Sequence, residues 1–322
     1  MYVETELKRC EELSKSLGGS VWLKMETQQI TGSFKYRGIS LLCKKSVDEG
    51  YKKFVCSSGG NAGLAATRAA KELDTPISVY VPMTTREVMR EMLKEGGASV
   101  HVHGKVWDET NALAVKTANK EGAFMIHPFD HPTIWEGHSS IVTEIKSQLP
   151  SDSAPPDLII ASVGGGGLMN GILHGMERVG WGHIPFIAME TEGADSLNLC
   201  VREGRWESLK EITSIAKCLG ALKVSKRSYE WLQNKNVISC VVPDKEALKA
   251  CVFMSDYHEV LVPPACGAAL AAVTDKSLIP RLQGEGKLPK SLSNVIVIVC
   301  GGSGIKSENI KQWRNDIREE KD

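Results

Sequence analysis

The chain reads as an α/β protein with mostly parallel sheets and helices on both faces. Short apolar runs alternate with longer amphipathic stretches, which is the pattern of βαβ units. Glycine-bearing turns fall where an apolar run ends and a helical stretch begins, the place where ligands gather in such sheets. The length, 322 residues, suits about two domains.

In chain order, the predicted strands are residues 21–25, 54–57, 77–81, 99–102, 158–163, 186–190, 237–242 and 295–300. The predicted helices are 38–45, 62–73, 86–95, 106–121, 136–148, 168–179, 245–257 and 265–274. The proline-bearing stretches 127–132 and 149–156 read as boundary loops. Residues 314–322 read as a charged tail fraying from a helix end.

Composition excludes several classes. Hydrophobic residues make up 42% and charged residues 24%, ordinary for a globular protein. A formal net charge of +0 predicts no bulk attraction to nucleic acid or to an anionic membrane. No apolar run approaches the length of a spanning helix. The polar opening stretch, with Glu4, Glu6, Lys8 and Arg9, predicts no signal peptide. Nine cysteines without a C-x-x-C pair or zinc spacing fit buried thiols in a reducing compartment, with the cytoplasm as default.

Lys35 stands in Thr31-Gly32-Ser33-Phe34-Lys35-Tyr36-Arg37-Gly38, at a turn leading into a helix. Small neighbours let a flat cofactor approach, and burial that lowers its pKa would let the amine form a Schiff base. Taken alone, it also reads as a solvated lysine beside an arginine.

Its company decides. Gly164, Gly165, Gly166 and Gly167 follow an apolar run and open a helix at Leu168. Bare N–H groups at a helix N-terminus make a phosphate site, against the alternative of a flexible loop. The G-x-G-x-x-G fingerprint fails at Met169 and Asn170, and no Gly-Lys-Ser/Thr follows, so no nucleotide signature is present. A monophosphorylated aldehyde cofactor fits better, and such a cofactor needs a lysine.

The run Cys56-Ser57-Ser58-Gly59-Gly60-Asn61-Ala62-Gly63 also joins a strand to a helix. Ser58 or Asn61 could cap that helix. Alternatively the N–H groups and hydroxyls could hold a substrate carboxylate, with Asn61 donating to a phenolate oxygen. In Cys300-Gly301-Gly302-Ser303-Gly304, Cys300 either faces a ring nitrogen or is a small buried hydrophobe. Glu190, at a strand end, either binds a cation with nearby carbonyls or is a solvated loop acid. Pro128 and Pro132 exclude a helical zinc motif through His127 and His131, while His101 and His103 read as surface residues. Ile305 after Gly304 removes the nucleophile-elbow pattern.

Together these residues resemble the serine/threonine dehydratases, a fold-type II family dependent on pyridoxal phosphate, and most of all its serine dehydratase and serine dehydratase-like branches. Besides the motifs above, Pro128-Phe129-Asp130, Ile134-Trp135-Glu136-Gly137-His138, Ala188-Met189-Glu190-Thr191 and Pro264-Ala265-Cys266-Gly267-Ala268-Ala269-Leu270 appear in the family's order. The resemblance implies that Lys35 carries the cofactor and Phe34 packs on its pyridine ring. It implies that Asn61 bonds the ring oxygen, Gly164 to Gly167 with Leu168 hold the phosphate, and Cys300 faces the ring nitrogen. Ser58, Asn61 and Ala62 would hold the substrate carboxylate. Glu190, with the carbonyls of Gly164, Ala194, Leu219 and Ala221, would bind a monovalent cation, K+ in this reading.

The implied reaction is β-elimination of L-serine, and of L-threonine, to pyruvate or 2-oxobutanoate and ammonia. The expected architecture is two three-layer domains: a small inserted one at 34–131, and a large one from 1–33 and 132–322. A homodimer is also implied. Two alternatives stand beside this reading. A serine racemase-like enzyme needs a serine where Gly59 stands. A non-catalytic protein binding pyridoxal phosphate or an amino acid would have little use for intact Lys35, Asn61, the glycine run and Cys300. The chain departs from the family pattern at Glu6, Ile30, Pro263 and Gly304, and at Pro263 an acid is lost.

Overall fold

The computed structural model of the chain describes residues 1–319. The chain opens with β1 (Leu7–Arg9), α1 (Glu11–Leu17) and β2 (Ser20–Met25). Next come α2 (Lys35–Asp48), β3 (Phe54–Cys56), α3 (Asn61–Glu72), β4 (Ile77–Val81), α4 (Glu87–Glu95), β5 (Ser99–Val102), α5 (Trp107–Glu121) and β6 (Phe124–Ile126). The remainder is α6 (Pro132–Gln148), β7 (Leu158–Ser162), α7 (Gly167–Val179), β8 (Phe186–Thr191), α8 (Ser196–Glu203), α9 (Lys226–Trp231), β9 (Val237–Val242), α10 (Asp244–His258), α11 (Pro264–Thr274), α12 (Leu278–Gly284), β10 (Asn294–Val299) and α13 (Ser307–Glu319).

These strands form two sheets, ordered β1-β2-β10-β7-β8-β9 and β5-β4-β3-β6. Every pairing is parallel except that of β1 with β2. The chain leaves the six-stranded sheet after β2, builds the whole four-stranded sheet, and returns at β7. A parallel sheet covered on both faces buries both sets of side chains, so its strands read as unbroken apolar runs. Leu158, Ile159, Ile160 and Ala161 of β7 are accordingly all buried. In the smaller sheet Phe54, Cys56, Val79 and Val81 pack with Ile39 of α2 and Ala65 of α3. Val55 and Tyr80, one residue out of phase, pack with Ala114 and Ala118 of α5. That alternation puts helices on both faces, giving three layers.

The eight predicted strands are present. β1, β6, α1, α8, α9 and α12 went unpredicted. Most predicted boundaries shift by a residue or so, but α6 starts at Pro132 rather than at 136. Proline is tolerated in a first helical turn, and the His131 side chain accepts from the Thr133 N–H at 3.1 Å. The predicted C-terminal tail is instead part of α13, where Ile310 is buried and the Arg314 guanidinium meets Asp256 of α10 at 3.2 Å. Residues 320–322 of that prediction lie outside the described residues. Among the described residues no helix is long and apolar enough to cross a membrane.

Candidate active site

Lys35 is the first residue of α2, at the turn leading into that helix, ten residues after β2 ends at Met25. Gly32, at φ +70°, makes the turn. The segment is then pinned to the end of β10: Phe34 N–H donates to Cys300 O at 3.0 Å, and Gly302 N–H to Gly32 O at 2.8 Å. The half-buried Lys35 amine donates to the Pro128 carbonyl at 2.7 Å. Its nitrogen sits 5.3 Å from the Phe34 ring centre and 5.9 Å from that of Phe129. Burial pulls the ammonium down to about 8, against the opposing influence of the Cys218, Cys300 and Cys56 thiols. A lysine so placed reaches the neutral, nucleophilic form close to physiological pH, and the solvated alternative is set aside.

His127 holds the Pro128 turn. Its Nδ1 accepts from the Asp130 N–H at 2.7 Å, and burial, with Lys35 nearby, pushes the imidazole down to about 4. It is therefore a neutral acceptor at ordinary pH.

The glycine run sits between β7 and α7, with Gly166 as N-cap at φ +92°. Among the described residues, the N–H groups of Gly164, Gly165 and Gly166 donate to no protein acceptor. The loop is clamped from outside. A Cβ on Gly165 would lie 2.5 Å from the Phe129 ring, and one on Gly166 would lie 1.9 Å from Ser228 Oγ. Ser225 N–H donates to Gly165 O at 3.0 Å, and Ser228 Oγ donates to Asn170 Oδ1 at 2.9 Å. The turn is a rigid set of unspent donors at a helix N-terminus, which is what a phosphate needs.

At the end of β3, Gly60 is the N-cap of α3 and makes no side-chain cap bond. The predicted capping by Ser58 or Asn61 therefore does not occur, because the N-cap position falls on Gly60, two residues after Ser58 and one before Asn61. Ser58 Oγ accepts from Gly60 N–H at 3.3 Å, and Asn61 Oδ1 accepts from Ser303 N–H at 3.0 Å. Asn61 Nδ2 faces Cys218 Sγ at 3.8 Å, leaving it available to an oxygen. Asn61 and Ala62 open the helix, so their N–H groups are the ones available to a carboxylate.

Cys300 is buried beside a second thiol, Cys266 Sγ, at 3.3 Å, and Ser162 Oγ donates to it at 3.6 Å. The Cys266 bond holds Cys300 below the usual thiol value, while burial pushes Cys266 well above it. Glu190 is completely buried, which removes the solvated-loop reading. It accepts from the N–H groups of Leu197 and Asn198, both at 2.8 Å, and burial still raises its carboxyl to about 8. Ala194 and Leu219 share one small cluster, and a Cβ on Gly164 would lie 3.0 Å from Leu219 O.

Reading the sequence missed the Pro128 carbonyl, Phe129 as the wall of the glycine turn, Ser225, Ser228, Asn170, Cys218 and the Cys266 thiol. Of these, Pro128, Phe129 and Cys266 carried a signal, as members of motifs without an assigned role.

Two parallel sheets with a half-buried amine and a free-donor glycine turn at their strand ends define a fold-type II, cofactor-dependent α/β enzyme. The chain belongs to the pyridoxal-phosphate dependent enzymes, whose family pattern matches residues 1–301. It is 45% identical over 316 residues to a human protein named serine dehydratase-like, covering 98% of this chain and 95% of that one. To human L-serine dehydratase/L-threonine deaminase it is 45% identical over 318 residues, covering 98% and 96%. The structure of a fungal L-serine ammonia-lyase from Rhizomucor miehei superposes with a TM-score of 0.89 at 32% identity, covering 98% of both chains. The residues present fit the family's cofactor: an amine of lowered pKa, unspent loop N–H groups for a phosphate, and a thiol at the next strand end.

Proposed function

We propose that the chain is a lyase that eliminates L-serine to pyruvate and ammonia, and L-threonine to 2-oxobutanoate and ammonia. The observation that carries this reading is the Lys35 amine, held 2.7 Å from Pro128 O and tuned to about 8. Pyridoxal phosphate, when bound, supplies an electron sink for the charge that develops at the substrate Cα. Lys35 Nζ holds the cofactor and is the base for the Cα proton, with the Pro128 carbonyl aiming it. The N–H groups of Gly164 to Gly167 and Leu168 bind the phosphate. Phe34 would pack on the pyridine ring and Asn61 Nδ2 would donate to the ring oxygen. Cys300 would stand at the ring nitrogen, where a thiol would not stabilise a proton on that nitrogen as a carboxylate would. Ser58, Asn61 and Ala62 bind the substrate carboxylate at the positive end of α3.

Gly59 decides against racemisation. It has no proton to give, and a Cβ there would lie 2.7 Å from Thr85 Cγ2. Residues 34–131 act as a small domain that closes on the larger one and excludes water from the cleft. Glu190, with the carbonyls of Gly164, Ala194, Leu219 and Ala221, binds K+, which would offset a carboxylate buried without a cationic partner. The working form is a cytoplasmic homodimer.

The test is product analysis on the cofactor-loaded protein. L-serine should yield pyruvate and L-threonine 2-oxobutanoate, with no D-serine. D-serine from L-serine would establish the racemase reading instead, and a loaded protein that turns over neither amino acid would leave a binding protein.

A further inference from the structure

Away from the cleft, Cys10, Glu12 and His258 bring three ligand-type atoms within 4.8 Å of one another. Cys10 is the N-cap of α1, Glu12 lies in its first turn, and His258 ends α10. The ligands are 248 residues apart in sequence, so no spacing motif could reveal them. Cys10 Sγ is 3.3 Å from His258 Nε2 and 3.6 Å from Glu12 Oε2. Tetrahedral zinc, with bonds of about 2.3 Å to sulfur and about 2.0–2.2 Å to nitrogen and oxygen, puts sulfur about 3.5–3.6 Å from a nitrogen or oxygen ligand. The Glu12 edge of 3.6 Å matches that spacing, and the His258 edge of 3.3 Å reaches it with an opening of a few tenths of an ångström. In the metal-free protein the same contacts serve as thiol hydrogen bonds.

Burial and charge support the same reading. Cys10 is fully buried, His258 is half-buried and Glu12 is exposed, so the group has a closed floor and an open mouth. The second ring nitrogen of His258, Nδ1, is buried without a partner among the described residues, which leaves the Cys10 contact as the ring's polar engagement. A thiolate and a carboxylate together carry two negative charges, which a divalent cation neutralises. A mixed sulfur, imidazole and carboxylate set favours zinc or cobalt over magnesium or calcium.

We propose that Cys10, Glu12 and His258 form a transition-metal site suited to Zn2+, which staples α1 to α10 and leaves its fourth position to water. Binding displaces the thiol proton into solvent. This site is independent of the elimination chemistry, because none of the three residues lies in the cofactor cleft.

Co2+ titration of the cofactor-loaded protein tests it, read as difference spectra against the metal-free holoprotein. The expected result is a sulfur-to-cobalt charge-transfer band that saturates at one equivalent and is displaced by Zn2+. Cys10→Ser should abolish the band, and His258→Gln should weaken cobalt binding at least about tenfold. Serine elimination should persist in both variants. Should Cys10→Ser fail to fold, His258→Gln alone decides, since its half-buried side chain is replaced by one of similar reach. No charge-transfer band in the parent protein, or a band unchanged in both variants, overturns the proposal and assigns any cobalt to other thiols, such as the exposed Cys218.

Discussion

Replacing Arg37 by Met tests whether a buried ion cluster behind the lysine holds the amine in place. Arg37 follows Lys35 within the first turn of α2 and is completely buried. Its guanidinium meets Glu26 through Nε and Nη2, each at 2.7 Å, and Glu144 Oε2 at 2.7 Å. Buried Lys24 reaches the same Glu144 oxygen at 2.7 Å. Two cations balance two carboxylates. Burial would lower the Arg37 pKa, yet hydrogen bonds to Glu26 and Glu144 raise it above its usual value. Arg37→Met leaves two carboxylates facing one ammonium in a space closed to water. Breaking a buried pair in this way costs about 3–5 kcal/mol. At about 2.1 cal/mol/K per residue, unfolding entropy for a chain of this length is about 0.7 kcal/mol/K, so the melting temperature should fall by about 4–7 °C. The assay is calorimetry on the cofactor-loaded protein, paired with kcat/KM for L-serine. Arg37→Lys keeps the charge but loses the two-pronged contact, and should fall between. An Arg37→Met protein that melts within about 1 °C of the parent, with unchanged kcat/KM, would refute the reasoning.

Other consequences follow from the same geometry. Because burial sets Lys35 near 8, the neutral amine of the apoprotein should fall about tenfold for each unit of pH below that value. Cofactor uptake by the apoprotein should therefore rise with pH and level off above about 8, and a flat stopped-flow profile would contradict it. In Gly165→Ala the new Cβ meets the Phe129 ring at 2.5 Å, an overpacking of about 1–3 kcal/mol. The cofactor dissociation constant should then rise about 5- to 150-fold in a fluorescence titration, whereas parental affinity would show that the turn yields freely. For Glu190, folding raises the carboxyl from 4.5 to about 8. Its contribution to stability is thus full below the lower value and lost as pH rises through the upper one. K+ should raise the melting temperature more at alkaline than at acid pH, and Glu190→Gln should erase that difference. An equal K+ effect in the variant would place the cation elsewhere.

The parts legible in the sequence were those whose signal is local. Residues 158–162 read as a strand because both faces of β7 are covered, so no polar position interrupts the run. The glycine turn was legible because four consecutive glycines between strand and helix have few other uses. Lys35 stood out through its neighbours, although its lowered pKa comes from burial that only the fold provides. Groups assembled from afar were invisible. The Lys24, Glu26, Arg37 and Glu144 cluster joins residues up to 120 positions apart, and each alone reads as a solvated charge. The Pro128 carbonyl that aims the amine has no side-chain signature. Short β1 was hidden for a different reason: Leu7-Lys8-Arg9 is an edge strand with Lys8 half-buried and Arg9 exposed, so it lacks an apolar run.

Borohydride reduction of the cofactor-loaded protein, followed by peptide mass mapping, tests the central claim most directly. The account predicts a reduced pyridoxyl-phosphate mass on the peptide containing Lys35, with loss of the visible absorption band and of pyruvate formation from L-serine. A Lys35→Ala protein should show neither the band nor the mass, and should lose serine elimination by at least about 10³-fold. Label on another lysine, or a Lys35→Ala protein that still eliminates serine at the parental rate, would contradict the account.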